Sequence, residues 1–111
     1  MSARIANWIM LALAATAPLA AAPAAAAAGG EELARNRRCL GCHVVEGRKV
    51  VGPSFKDVAA RYAGHKGAEA MLAKKIREGG AGNWGPVPMT ANTQVSEAEA
   101  KQLVGWILGL N

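Results

Sequence analysis

The chain has 111 residues, 13 of them basic and 8 acidic, for a formal net charge of +5. That length holds one small domain and excludes multidomain machinery. The basic residues are scattered rather than gathered into a patch, which argues against a nucleic-acid partner. The only two cysteines, Cys39 and Cys42, lie too close together to staple a disulfide framework.

The first 28 residues read as a leader rather than a domain. The amino terminus and Arg4 give a short positive start, Ile5 to Ala15 form an apolar run, and Pro18 and Pro23 interrupt the alanines leading to Ala26-Ala27-Ala28. Those parts make a secretory signal peptide, expected to be cleaved between Ala22 and Ala28, with residues 29–111 as the mature domain. Ile5 to Ala28 is also long enough to cross a bilayer; an uncleaved anchor is therefore the alternative, weakened by the prolines and the alanine content. Losing Arg4 from the 13 basic residues leaves 12 against 8 acidic, a balance of +4. Such a charge suits electrostatic steering of a partner and equally a merely solvated surface.

In the mature part, a first helix is expected from about Glu31 to Cys39, with acidic residues at its start and Arg35, Arg37 and Arg38 toward its end. Gly47 and Gly52-Pro53 mark loops. Ser54-Phe55-Lys56-Asp57 has a capping-box pattern opening a second helix, whose Phe55, Val58, Ala59 and Tyr62 share a face and which stops near Gly64. A third helix fits Ala68 to Glu78, with Leu72 and Ile76 on one face and Met71 as core filling. Gly79 to Val95 is too rich in glycine and proline to be regular, and a loop of that length in so small a domain is usually functional. Ser96-Glu97-Ala98-Glu99 opens a last helix to about Gly109, with Leu103, Val104, Ile107 and Leu108 apolar on one face. Nothing alternates at period two. The fold class is all-α: about four short helices with long loops.

Cys39-Leu40-Gly41-Cys42-His43 is the spacing of c-type haem attachment. Two cysteines three apart can each form a thioether with one haem vinyl, and the adjacent His43 can then ligate the iron. A thioredoxin-like dithiol would need a βαβ scaffold that this chain lacks. A zinc site would need more soft ligands, and only His65 remains. So small a mature chain, with Phe55, Tyr62, Trp84 and Trp106 as its only aromatics, gains a core by folding around such a group.

The second axial position has three candidates. Met89 follows Pro86-Val87-Pro88, whose prolines stiffen the loop that would present its thioether. His65, between Gly64 and Lys66, reads as a solvated turn residue; an open or water-bound position is the third. A histidine–methionine pair fills both axial sites and suits electron transfer. An open site would suit a haem enzyme or a gas-binding protein.

From Glu32 onward the chain resembles the small bacterial class I cytochromes c of the c-551/c-552 type. Beyond the haem motif, the resemblance lies in Val51 to Ala59, in Trp84-Gly85-Pro86-Val87-Pro88-Met89 and in Leu103 to Leu108. It implies a class I cytochrome c fold around one covalent haem c, with His43 and Met89 on the iron. It also implies that the Pro53 carbonyl orients His43, that the Trp84 indole reaches a propionate or packs in the core, and that Arg37 and Lys75 lie near propionates or are solvated. Asn92 would sit beside the methionine sulfur. Where the family often has Pro-Pro after the methionine, this chain has Thr90-Ala91, which removes two φ restraints and predicts a less rigid loop. Ala34 replaces a bulky aromatic, and the Glu46-Gly47-Arg48-Lys49 loop is a residue longer than in some members.

The resemblance further implies a monomeric, soluble, periplasmic electron carrier of a respiratory chain and not an enzyme. Its partners would be redox proteins such as a quinol-oxidising complex and a nitrite reductase or terminal oxidase, without stable membrane insertion. Lys49, Lys56, Lys66, Lys74 and Arg38 are candidates for a docking rim. An anchored subunit of a respiratory complex is the alternative that retention of the leader would favour.

Overall fold

The computed structural model describes residues 12–17 and 29–110. Residues 12–17 are exposed and have no regular secondary structure; the rest of the predicted leader, with the expected cleavage position, lies outside the described residues. Among the described residues, no helix is long and apolar enough to cross a membrane.

Four helices follow in order: α1 (Gly30–Asn36), α2 (Phe55–Arg61), α3 (Ala68–Glu78) and α4 (Glu97–Leu108), with one 3-10 turn at Cys39–Gly41. The only extended pairing among the described residues is an isolated antiparallel bridge between Gly80 and Met89. The all-α expectation holds.

Helix α4 is the element on which the others assemble, since α1, α2 and α3 each pack against it. It opens with a complete capping box: Ser96 Oγ accepts from the Glu99 N–H at 3.1 Å, and the Ser96 N–H donates to the Glu99 carboxylate at 3.1 Å. Ala100, Leu103, Val104 and Ile107 recur at helical spacing and are buried. Where α1 crosses, a Cβ on Gly30 would lie 2.1 Å from Trp106 Cβ, so only glycine permits the approach. Ala34, one turn along α1, is wholly buried. Small residues on α1 thus replace the bulk that a larger residue would bring to this crossing.

The first helix is shorter than its sequence suggests. It ends at Asn36; Arg37 caps it, and Arg38 adopts φ 63°, the only positive φ of a non-glycine residue described. Charge pattern and helix propensity run smoothly through Arg37 and Arg38, but the left-handed Arg38 turns the chain so that the cysteines occupy a separate 3-10 turn. The second helix begins as expected, with buried Ser54 accepting from the Asp57 N–H at 3.1 Å. The third matches its predicted bounds, burying Ala68, Ala73 and Ile76. Met71, expected in the core, is instead 43% exposed: helical geometry sets it on a different face from Ile76.

Candidate haem site

An apolar cleft opens among α2, α3 and α4, walled by Phe55, Val58, Leu72, Ile76, Leu103, Val104 and Ile107. Cys39, Cys42 and His43 reach it from the 3-10 turn, and Met89 from the loop between α3 and α4. His65, the rival ligand, is not among its lining residues; its ring packs at 5.8 Å from Tyr62.

The segment bearing the cysteines is wound tightly, with the N–H groups of Cys42 and His43 both donating to the Cys39 carbonyl at 3.2 and 3.0 Å. Cys39 is half-buried, and desolvation pushes its thiol pKa up, partly offset by a backbone hydrogen bond. Cys42 is exposed. The chain then runs beside residues 52–56, where the N–H groups of Gly52, Phe55 and Lys56 donate to the Cys42, Val44 and Val45 carbonyls at 2.8, 2.8 and 3.0 Å.

That pairing fixes the histidine. His43 Nδ1 lies 2.7 Å from the Pro53 carbonyl oxygen. A carbonyl can only accept, so Nδ1 carries the proton and the neutral ring keeps its lone pair on Nε2. The ring stacks on Phe55 at 4.9 Å with 19° between planes. Behind it, a Cβ on Gly52 would fall 2.4 Å from His43 Cε1, so the backbone can pass there only as glycine.

Met89 is held by its backbone. Its N–H donates to the Gly80 carbonyl at 2.8 Å, and its carbonyl accepts from the Gly80 N–H at 3.0 Å. Beyond Thr90-Ala91, the Asn92 N–H and Nδ2 both donate to the Ile76 carbonyl, at 3.1 and 2.9 Å. The chain is thus tied on both flanks of Thr90-Ala91, by a bridge and by hydrogen bonds to α3. Asn92 lines the cleft, but its amide is committed to Ile76 and, at 3.4 Å, to the Thr90 carbonyl, so its described contacts are those of a loop anchor.

The residues expected near the propionates divide between the cleft and the fold. Lys75 and Trp84 line the cleft. Arg37 does not: its Nε and Nη2 donate to Glu99 Oε2 at 3.0 and 2.7 Å, tying the end of α1 to the start of α4. Left-handed Arg38 lines the cleft in its place, and so does Lys49, whose Nζ donates to the Trp84 carbonyl. The Arg61 guanidinium lies 4.4 Å from the centre of the Trp84 ring. Neither the Gly52–His43 approach nor the Arg61–Trp84 pair leaves a sequence signal, since each joins residues of separate elements.

The donor set fits a haem c: two thiols three residues apart, an imidazole with a lone pair held available and a thioether all line one apolar cleft. The cytochrome c family profile matches residues 27–111, and the chain belongs to that family, as one of its small class I members, electron-transfer proteins carrying covalently bound haem c. It is 54% identical over 79 residues to cytochrome c-551 of Azotobacter vinelandii, an alignment covering 71% of this chain and 94% of the relative. It is 46% identical over 101 residues to cytochrome c-551 of Pseudomonas aeruginosa, covering 91% and 94%. The crystal structure of wild-type Nitrosomonas europaea cytochrome c552 superposes with a TM-score of 0.70 at 49% identity, over 73% of this chain and 99% of that one.

Proposed function

We propose that the mature chain is a monohaem carrier that passes single electrons between redox proteins of a respiratory chain in the periplasm, after removal of residues 1–28 as a signal peptide. Cys39 and Cys42 are its thioether anchors, and His43 and Met89 its axial ligands. The observation that carries this reading is that all four side chains line a single apolar cleft.

When bound, the haem supplies a one-electron couple at its iron. The Pro53 carbonyl orients His43 by accepting from Nδ1, which leaves Nε2 as the nitrogen to meet the iron. Phe55, stacked on that imidazole, restricts its rotation. The Gly80–Met89 bridge and the Asn92 tie hold the loop that presents the Met89 thioether. With His43 and Met89 both on the iron, no position would be left for a substrate, which favours a carrier over a haem enzyme or gas-binding protein. Lys75 and Trp84, which line the cleft, would meet the propionates, and Arg38 and Lys49 would form the cationic part of a docking rim for an acidic redox partner. Such partners would be a quinol-oxidising complex upstream and a reductase or terminal oxidase downstream.

The test is an optical spectrum of the purified holoprotein, oxidised and reduced, across the far-red band that reports methionine ligation. The wild type has the band and Met89→Ala lacks it; persistence in the variant overturns the ligand assignment.

A further inference from the structure

We propose that Arg61 is a positioning residue, clamping the Gly82–Gly85 turn and the Trp84 it carries against the end of α2. Arg61 stands in the last turn of α2 and touches that turn twice. Its Nη1 donates to the Asn83 carbonyl, and its guanidinium carbon Cζ lies 4.4 Å from the centre of the Trp84 ring. From a separate loop, Lys49 Nζ donates to the next carbonyl, that of Trp84. Two cations from separate elements therefore hold two successive peptide groups.

The turn needs such ties. Its internal closure is one hydrogen bond, Gly82 N–H to the Gly85 carbonyl at 2.9 Å, and both glycines adopt positive φ, 106° and 116°. Glycines at both ends carry the greatest backbone entropy to be lost on ordering, so local preference alone holds the turn weakly. Arginine suits the task because its planar fork can stack on an aromatic face and donate an in-plane N–H together, whereas a lysine ammonium is a single point charge on a flexible stem. A cation on the ring face also draws density from the indole and strengthens its N–H as a donor to an anion. The clamp rests on contacts within the chain; its effect on the haem rests on the function proposed above, since Trp84 influences the group only where the cleft holds it.

The experiment measures hydrogen exchange by NMR in the reduced holoprotein for wild type, Arg61→Met and Arg61→Lys, together with the reduction potential of each. Arg61→Met speeds exchange of the Gly82 amide and the Trp84 indole N–H by about tenfold, leaves the amides of α3 and α4 unchanged, and is partly rescued by Arg61→Lys. Unchanged exchange at Gly82 and Trp84 overturns the clamp, as does an equal rise through α3 and α4, which would make Arg61 a general stabiliser. Should Arg61→Met not yield holoprotein, Arg61→Lys against wild type carries the same comparison, with a smaller rise confined to the same two groups. A loosened turn with an unshifted potential upholds the clamp and counts instead against Trp84 acting on the haem.

Discussion

At the scale of single residues, the histidine is defined less by its own identity than by what surrounds it. Pro53 sets its protonated nitrogen, Phe55 its plane, and Gly52 the room behind it. A methyl group at Gly52 would meet Cε1 at 2.4 Å, and a ring held on two sides cannot yield cheaply. Gly52→Ala is therefore expected to cost about 1–3 kcal/mol of stability through overpacking, read by denaturant unfolding, with a shifted reduction potential as His43 tilts. A neutral substitution on both readouts would mean that the backbone retreats and that His43 does not depend on this contact.

At the scale of elements, the meeting of α1 and α4 makes a prediction whose sign is informative. In an exposed helix, replacing glycine by alanine stabilises by up to about 1 kcal/mol through helix propensity. At Gly30 the added methyl would lie 2.1 Å from Trp106 Cβ, inside any permitted contact. Overpacking of about 1–3 kcal/mol outweighs propensity, so Gly30→Ala should destabilise. A raised midpoint in thermal or denaturant unfolding would place the helices further apart than described. The same scale explains why α1 is cut short: Arg37 is drawn to Glu99 and Arg38 turns left-handed, handing the chain over to the cysteine turn.

At the scale of the whole molecule, the Arg37–Glu99 pair joins the two ends of the domain, and it is sensitive to pH. The backbone N–H of Ser96, and then Arg37, hold the Glu99 carboxyl below the usual glutamate range. A carboxyl whose pKa is lower in the folded state binds its proton more readily when unfolded. The stability it contributes is therefore present above the ordinary glutamate pKa and lost as pH falls through the folded value. The difference in denaturant midpoint between wild type and Glu99→Gln should be largest near neutrality and close as pH drops below the glutamate range; a gap that persists in acid would refute the linkage. The core also bears on the haem. Its largest fully buried side chains are Leu103, Val95, Val104 and Ser54, a modest set for a domain of this size. The Cys39→Ala/Cys42→Ala double variant, deprived of its covalent anchors and prepared free of haem, is expected to lose most of its far-ultraviolet helical dichroism, and full retention of that signal would show that the polypeptide folds unaided.

Much of the architecture is legible in the chain itself because it depends on neighbours in sequence. The bounds of α3, the serine caps of α2 and α4 and the apolar face of α4 follow from hydrogen bonds and side chains three or four residues apart. The haem motif is equally legible, because covalent attachment requires two thiols and an imidazole within five consecutive residues, and Met89 stands out through its prolines. Other features required the folded molecule. The crossing of Gly30 on Trp106, the assignment of Arg37 to Glu99 rather than to the cleft, the bridge between Gly80 and Met89, and the hold of Arg61 on Trp84 all join residues distant in sequence. Such contacts leave no periodicity or spacing to read, since their partners become neighbours only when the helices pack. The sequence by itself determined the group this protein carries and the helices around it; tertiary packing decided which side chains orient that group and which merely hold the fold.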